Sequence, residues 1–347
     1  MKFTSIFALL ALPFGILARE QTQSGATWGL HAISHREPHA RPWQTSLRRF
    51  EYYYDETAGE GTFAYVIDGG VRISHEELEG RAENLWTADR SSYPHDEADY
   101  VDKTGHGTHV AGTIASKTYG VAKKARIVAV KVRDRFGRTS SSNLLSGIHR
   151  AVQDIMDKRR IGKAVINISL GVPEDGCQER AVRHAIWQAV SNGITIVQAS
   201  GNEGKDAKDF CLAPKAGAIT VGNMKPDWSV DEDSNFGSTV DLFGPGTDIL
   251  SLSSADDNRV RLMSGTSMAA PHVAGVVLTF MSSSPKRSHE IRSLLDTTCT
   301  QDKIKGDLRG SPNKLVNNNN NKQGNRQRFV IQPPSIKYTR VYLNNPV

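Results

Sequence analysis

Phe63-Ala64-Tyr65-Val66-Ile67-Asp68-Gly69-Gly70 is the stretch that says most about the fold. Its apolar residues run without a break and stop at an aspartate and two glycines. A strand with one face in water would alternate apolar and polar residues, so the unbroken run predicts a strand buried on both faces of a parallel sheet. Similar runs recur at residues 126–132, 164–170, 194–198 and 218–221.

Helical patterns lie between these predicted strands. Apolar residues recur at helical spacing over 142–158, and a second helical pattern covers 180–190 and ends before Gly193. The alternation of strands and helices predicts an α/β domain over about residues 19–315, with a parallel sheet covered by helices on both faces. Ligands of such sheets bind beyond the carboxyl ends of the strands, which is where Asp68 and Asn202 are expected.

The two ends of the chain differ from this pattern. Residues 1–18 form a short apolar run behind one positive charge and end in Ile16-Leu17-Ala18, which predicts a signal peptide and secretion. The run is shorter than the ~20 apolar residues that a transmembrane anchor needs. No Asp or Glu follows Asp307, and the Asn-rich, basic residues 316–347 are predicted to form a flexible tail.

Composition and cysteine content narrow the class of protein. The chain has 347 residues and a formal net charge of +6, with both signs mixed along it, which predicts a solvated surface and neither a nucleic-acid nor a membrane partner. Three cysteines allow one disulfide in an oxidising compartment, and we expect Cys177 to pair with Cys211 because both lie in loops that leave neighbouring predicted strands. Their spacing does not fit a zinc motif.

A serine among small residues is the first candidate for chemistry. Residues 264–275, Ser-Gly-Thr-Ser-Met-Ala-Ala-Pro-His-Val-Ala-Gly, place Ser267 in front of an apolar segment. At the start of a buried helix, unpaired N–H groups and the helix dipole favour negative charge, which suits a nucleophile. The same pattern fits an ordinary N-cap serine before a core helix, so the stretch taken alone leaves both interpretations open.

Two other glycine-rich stretches supply the partners that a nucleophilic serine needs. Asp68 ends the first predicted strand, and His106 lies in residues 105–113, Gly-His-Gly-Thr-His-Val-Ala-Gly-Thr. A serine hydroxyl reacts when a base takes its proton, and a carboxylate orients that base. The order Asp, His, Ser is that of subtilisin.

With these motifs the chain resembles the subtilisin-like serine proteases (subtilases), in particular the proteinase K group of fungal secreted enzymes. The resemblance covers about residues 21–316 and implies the subtilisin-like three-layer fold. Further segments that carry it are Trp28-Gly29-Leu30, Tyr52-Tyr53-Tyr54-Asp55, Gly120-Val121-Ala122-Lys123, Ser169-Leu170-Gly171 and Phe243-Gly244-Pro245-Gly246.

The resemblance implies a role for each matching residue. Asp68 would be the orienting acid, His106 the general base and Ser267 the nucleophile. Asn202 would donate to the oxyanion together with the Ser267 N–H, although a turn asparagine is the ordinary interpretation of that residue alone. His109, in the same motif as His106, and His272, in the same motif as Ser267, are expected to be structural.

Peptide binding is also implied by the resemblance. An extended substrate would add as a strand between two edge segments, with its first side chain in a pocket. The residues concerned are Ser169, Leu170 and Gly171 on one edge, Gly137, Arg138 and Thr139 on the other, and Ala199, Ser200 and Gly201 around the pocket. Arg138 and the nearby Ser141 differ from the residues common in the proteinase K group and predict that subsites away from the cut tolerate acidic side chains.

The chain departs from the family pattern at several places. Gly69 stands where the family has Ser or Thr, so a hydroxyl that could bond the Asp68 carboxylate is missing and we expect reduced activity. Asp241 with carbonyls near Ala216 and Ala218 matches a family calcium site, and a single carboxylate leaves an ordinary turn aspartate equally open. Residues resembling the mature amino terminus follow the signal directly, so the chain either folds unaided, is assisted, or is a piece of a longer gene product.

Three functions can be weighed on this basis. The leading one is a secreted, monomeric serine endopeptidase of broad specificity that acts on proteins or peptides by acyl-enzyme chemistry and needs no cofactor for catalysis. The second is a catalytically silent or weakly active subtilase-like protein that binds peptides, suggested by Gly69. A lipase or esterase is disfavoured because Ser267 lies in Gly-Thr-Ser-Met-Ala and not in the Gly-x-Ser-x-Gly elbow.

Overall fold

A computed structural model describes residues 19–39, 49–89, 97–134, 136–171, 176–209 and 217–323, with the backbone alone for residues 97 and 176–179. Its strands are β1 Glu20–Ala26, β2 Phe50–Asp55, β3 Phe63–Asp68, β4 Ala82–Thr87, β5 Arg126–Lys131, β6 Ala164–Ile168, β7 Thr195–Ala199, β8 Ile219–Met224, β9 Leu242–Pro245, β10 Ile249–Leu252, β11 Val260–Met263, β12 Thr300–Gln301 and β13 Lys314–Leu315. Its α-helices are α1 Trp28–Ala32, α2 His106–Ala115, α3 Ser141–Asp157, α4 Gly176–Ser191, α5 Thr266–Ser283 and α6 Ser288–Thr298. Short 3₁₀ helices cover Glu76–Leu78, Glu97–Tyr100 and Ala207–Asp209.

Nine of these strands form one sheet in the order β12-β13-β9-β8-β7-β6-β3-β5-β4. All neighbouring pairs are parallel except β12 and β13 at one edge. The strands predicted from unbroken apolar runs are β3, β5, β6, β7 and β8, which lie next to one another inside the sheet. The predicted α/β architecture is therefore confirmed.

Both faces of the sheet are buried, as the sequence of β3 predicts. Ala64 and Val66 point into a core that also contains residues of α2 and α5, whereas Tyr65 and Ile67 point into a second core with residues of α3 and α4. Alternate side chains of a strand point to opposite faces, so one unbroken apolar run serves both cores. The sheet is thus the middle layer of three.

The strand register brings the ends of β3 and β6 together. Ile67 pairs with Ile168, so Asp68 and Ser169 are the next residues on adjacent strands. Strands in a sheet lie about 4.8 Å apart, and these two residues therefore start neighbouring loops at the carboxyl edge. Helices α2 and α5, which begin at His106 and Thr266, pack on the same side of the sheet.

Residues just after the predicted carboxyl end of the domain pack against its amino-terminal region. Asn317 is buried and donates its side-chain N–H groups to the carbonyl of His35 at 3.1 Å and to Thr300 Oγ1 at 3.2 Å. Asn318 donates to the carbonyl of Tyr53 at 2.6 Å. The first residues of the predicted tail thus contact the amino-terminal region through asparagine side chains that bond its backbone carbonyls.

Several predictions fall on residues that are not described. These are the signal peptide at 1–18, residues 324–347 of the tail, the side chain of Cys177 and the whole of Cys211. The third cysteine, Cys299, is buried and free. None of the helices in the described ranges is long and apolar enough to cross a membrane.

Candidate active site

Asp68 and His106 form a buried pair at the carboxyl edge of the sheet. Nδ1 of His106 lies 2.9 and 2.8 Å from the two carboxylate oxygens of Asp68, and both side chains are almost fully buried. A carboxylate is an acceptor, so Nδ1 carries the proton, and in the neutral ring Nε2 is then the acceptor. The N–H of Gly69 adds a bond of 2.6 Å to the carboxylate.

The close approach of α2 to β3 depends on Gly107. A Cβ at residue 107 would lie 2.1 Å from the carbonyl oxygen of Gly70 and 2.9 Å from Cβ of Asp68. Glycine is therefore required immediately after His106, because any side chain would push the first turn of α2 away from the carboxylate. The second glycine of the Gly-His-Gly motif thus has a steric role in forming the pair.

Asp102 positions the start of α2 and was not singled out in the sequence. Its carboxylate accepts bonds from the N–H groups of Gly105 at 2.9 Å and Thr108 at 2.8 Å, and from the Thr108 hydroxyl at 2.7 Å. These donors include helix N–H groups that have no partner within the helix itself. An aspartate a few residues before a predicted helix is a recognisable capping signal.

Ser267 is the second residue of α5 and lies beside the end of β6. Its Oγ donates to the carbonyl oxygen of Ser169 at 3.0 Å, and Oγ of Ser169 donates back to the carbonyl of Ser267 at 3.0 Å. Since Ser169 adjoins Asp68 across the sheet, these bonds place Ser267 at the same edge as the Asp68–His106 pair. Over the described ranges, no hydrogen bond joins Ser267 to His106.

Asn202 is oriented by the first residue of α5. Its Oδ1 accepts from the N–H of Thr266 at 2.8 Å and from the Thr266 hydroxyl at 2.9 Å. A backbone N–H can only donate, so the amide oxygen faces Thr266 and the amide NH2 points the other way. Because Thr266 and Ser267 are consecutive, this NH2 group lies beside the helix start that carries Ser267.

The residues expected to bind a peptide lie around this edge. The side chain of Leu170 is buried in the core that contains residues of α3 and α4, so only its backbone can face a ligand. Gly171 is partly exposed. On the other segment, the carbonyl of Gly137 accepts a bond from Arg133 at 2.8 Å. Arg138, in turn, bonds Asp134 at 3.2 Å.

The predicted pocket loop is tied to α5 and to a residue that sequence reasoning missed. The N–H of Gly201 donates to Oγ1 of Thr266 at 3.2 Å. Asn235 is fully buried, and its Nδ2 donates to the carbonyl of Ser200 at 3.0 Å. Ala199, at the end of β7 and directly before Ser200 and Gly201, is partly buried. Asn235 is distant along the chain, so no local pattern indicates its contact with the loop.

His109 and His272 are structural in this arrangement. His109 bonds the carbonyl of Ile249 through Nε2 at 2.9 Å, and burial lowers its pKa to about 3. His272 bonds the carbonyl of Met268 through Nδ1 at 2.9 Å, and burial lowers its pKa to about 4. Both rings are neutral near pH 7 and are engaged with backbone groups of the core.

The oxygens expected to hold calcium are bonded to an arginine. Arg292 donates to Oδ1 of Asp241 at 2.9 Å, to the carbonyl of Gly217 at 3.0 Å and to the carbonyl of Ala218. The other oxygen of Asp241 accepts from the N–H of Thr220 at 2.8 Å. A guanidinium already supplies positive charge there, so these residues do not fit a calcium ion unless Arg292 moves. Ala216 lies outside the described ranges.

A family comparison decides the identity of the chain. The model of the subtilase family, named Peptidase_S8, matches residues 59–327. The chain belongs to the subtilase family. It is therefore a subtilisin-like serine protease by family, as the order of Asp68, His106 and Ser267 predicted.

Known relatives of this subtilase agree with the assignment. It is 40% identical over 299 residues to an alkaline proteinase of Hapsidospora chrysogena, covering 86% of this chain and 69% of the relative. It is 42% identical over 304 residues to subtilisin-like protease 1 of Pseudogymnoascus destructans, again covering 86% and 69%. A cuticle-degrading serine protease of Arthrobotrys oligospora is 39% identical over 304 residues, with the same coverage of the two chains.

A solved structure confirms the fold of this subtilase. The crystal structure of a cold-adapted subtilisin-like serine proteinase superposes with a TM-score of 0.72 at 36% sequence identity. The match covers 85% of this chain and 99% of the other. The expectation of a subtilisin-like three-layer fold is therefore confirmed.

Proposed function

We propose that this subtilase is a secreted endopeptidase that cleaves peptide bonds with Ser267 as nucleophile, His106 as general base and Asp68 as orienting acid. The observation that carries the proposal is the double contact of His106 Nδ1 with the Asp68 carboxylate, at 2.9 and 2.8 Å. That contact leaves Nε2 as the atom that accepts a proton, at the sheet edge where Ser267 starts a helix.

Acylation follows from these positions. Oγ of Ser267 turns from the Ser169 carbonyl, attacks the carbonyl carbon of the substrate, and passes its proton to Nε2 of His106. The carbonyl oxygen becomes negative and accepts bonds from the NH2 of Asn202 and the N–H of Ser267. When the C–N bond breaks, His106 returns the proton to the leaving amine, and the acyl group stays on Ser267.

Deacylation repeats the cycle with water. His106 takes a proton from the water, the resulting hydroxide attacks the acyl carbon, and the proton then goes to Oγ of Ser267 as the acid product leaves. Buried Asp68 stabilises the charged imidazole in both halves of the reaction. The proposed chemistry uses side chains, backbone N–H groups and water, without a cofactor.

Substrate binding is proposed to be led by the backbone. A peptide added between residues 169–171 and 137–139 would form main-chain hydrogen bonds with little demand on sequence, which gives broad specificity. Ala199, Ser200 and Gly201 would line the primary pocket. Because of Arg138, the sequence predicts that substrate subsites away from the cut tolerate acidic side chains. The guanidinium of Arg138 is bonded to Asp134, so part of its positive charge is already neutralised.

Secretion is part of the proposal. Residues 1–18 have the pattern of a signal peptide, and the named fungal relatives include a cuticle-degrading protease. An extracellular substrate suits a backbone-led, broad specificity. Detection of the processed chain in culture medium tests secretion, and retention of residues 1–18 on an intracellular product would contradict it.

A second function, peptide binding without catalysis, also fits one observation. Oγ of Ser267 donates to the carbonyl of Ser169 and not to His106. Hydrogen bonds of catalytic groups are often absent before substrate binds, so the geometry does not separate the two functions. Both functions predict peptide binding, and only the first predicts turnover.

Hydrolysis of a fluorogenic peptide by the purified chain tests the proposal. We expect turnover that is lost in Ser267→Ala and in His106→Ala. Peptide binding without turnover by folded protein would favour the silent binder. Turnover that is undiminished in His106→Ala would contradict a histidine base.

A further inference from the structure

Arg133 lies beside Gly69, the residue that follows Asp68 of the Asp68–His106 pair. Arg133 follows β5, and its Nη1 donates to the carbonyl of Gly137 at 2.8 Å. A Cβ at residue 69 would lie 3.2 Å from Cδ of Arg133. The side chain therefore crosses over Gly69, the residue that follows Asp68, and reaches the segment expected to pair with a peptide.

The guanidinium of Arg133 has no anionic partner in the described part of the chain. Over the described residues, no carboxylate lies within ion-pair distance of it, and its Nε is buried without a hydrogen bond. The nearby carboxylates have other donors, since Asp134 bonds Arg138 and Asp102 bonds Gly105 and Thr108. A half-buried cation with unused donors is costly and readily accepts a carboxylate.

The order of the strands indicates which substrate residue would reach Arg133. Along the carboxyl edge, the loop after β7 carries the pocket residues, β6 and β3 follow, and Arg133 comes just after β5. Neighbouring side chains of an extended peptide point to opposite sides. A residue that fills the pocket beside β7 therefore leaves the preceding side chain pointing towards Gly69 and Arg133.

We propose that Arg133 selects substrates with an acidic side chain at the second residue upstream of the scissile bond. The inference rests on the proposed function, because it assumes that a peptide binds between the two edge segments. Gly69 contributes by leaving the space that Arg133 crosses. Gly69, which replaces the family's Ser or Thr, would then contribute to specificity, while the missing hydroxyl is expected to lower activity.

Arg138 is the other arginine that could bind an acidic substrate side chain. It is far more exposed than Arg133, with 73% of its side-chain surface accessible, and is bonded to Asp134 at 3.2 Å. An exposed charge that already has a partner discriminates weakly. The two arginines can be separated by substituting each in turn.

The test uses peptides that differ only at the second residue upstream of the cut, with Glu, Gln or Lys there. Glu and Gln have nearly the same shape, so the ratio of kcat/KM for these two peptides isolates the effect of the charge. We expect kcat/KM for Glu to exceed that for Lys about tenfold at low salt, with Gln between them, and the ratio to fall in high salt. Arg133→Gln should bring the Glu-to-Lys ratio close to one, whereas Arg133→Lys should retain part of it.

Arg150→Gln is the matched control, because it removes the same charge from an exposed position on α3 and should keep the ratio. An unchanged ratio in folded Arg133→Gln, or a ratio abolished by Arg138→Gln instead, would overturn the inference. Dissociation constants of the same peptides on Ser267→Ala provide a second readout. If no peptide is cleaved, the proposed function fails, and a Glu preference in binding that Arg133→Gln removes would still support the role of Arg133.

Discussion

The side-chain oxygen of Asn202 accepts two hydrogen bonds from Thr266, one from its N–H at 2.8 Å and one from its hydroxyl at 2.9 Å. This contact directs the amide NH2 away from Thr266 and makes it available as a donor. We predict that Asn202→Ala lowers kcat with little change in KM, because the donor acts on charge that develops during the reaction. In subtilisin, loss of one such donor lowers kcat about 10²- to 10³-fold, and we carry that magnitude over.

Thr266→Val provides the comparison for Asn202. It removes the hydroxyl and keeps the N–H that holds the Asn202 oxygen, so kcat should fall by much less than in Asn202→Ala. Steady-state kinetics on both variants measure the difference. Equal losses in the two variants, or a change confined to KM, would contradict a donor role for Asn202.

Gly69→Ser should raise kcat, because a serine hydroxyl could add a hydrogen bond to the Asp68 carboxylate. One hydrogen bond contributes ~1 kcal/mol, which corresponds to about a fivefold change. The new Cβ would contact Arg133 at 3.2 Å, so we expect the full gain only when Arg133→Ala is combined with it. Unchanged kcat in both Gly69→Ser and the double variant would show that the missing hydroxyl does not limit activity.

Stability should fall as the pH is lowered from about 6.5 towards 4. The pKa values of His109 and His272 are lowered by burial to about 3 and about 4, so the unfolded chain takes up these protons first. The stability that the neutral rings contribute is complete above the ordinary pKa of about 6.5 and is lost as the pH falls towards the folded values. In that pH window, each histidine lowers the free energy of unfolding by about 1.4 kcal/mol for each unit that the pH falls.

Denaturant unfolding at several pH values, in a Ser267→Ala background that prevents self-digestion, measures this slope. His109→Gln keeps a donor near the Ile249 carbonyl and should reduce the slope. His149→Gln, at an exposed position on α3, should leave it unchanged. A free energy of unfolding that is constant or rises from pH 6.5 to 4 would contradict the assignment.

Arg292 should make the stability of the chain independent of calcium. Its guanidinium already bonds Asp241 and the carbonyls of Gly217 and Ala218. We predict that neither excess calcium nor a chelator shifts the melting temperature, and that Arg292→Ala lowers the free energy of unfolding by about 1–2 kcal/mol because the pair is partly exposed. Thermal unfolding in both conditions provides the measurement. Calcium that stabilises the unchanged chain would contradict this prediction.

The central strands and the reactive residues could be predicted from the sequence because their signals are local. Strand β3 is an unbroken apolar run, and Ser267 and His106 lie in short glycine-rich motifs. Burial on both faces removes the alternation of polar residues, which is visible in a single segment. The strand order followed only from the structure, since neighbours such as β3 and β6 are far apart in the chain.

Contacts between distant segments could not be predicted. Asn235 supports the pocket loop across 35 residues of sequence, and Arg292 reaches Asp241 across 51. The docking of Asn317 was missed because a run of asparagines indicates disorder by composition, whereas here the side chains bond backbone carbonyls. Arg133 was not singled out because its significance depends on the absence of a side chain at Gly69.

The most direct test of the account is covalent labelling of the purified, folded chain with an active-site fluorophosphonate, followed by mass mapping of the modified residue. Asp68, His106 and the helix start at Ser267 predict one adduct, on Oγ of Ser267, and its loss in His106→Ala. Folded protein that takes up no label, or takes it up equally after His106→Ala, would contradict the proposal that Ser267 is an activated nucleophile.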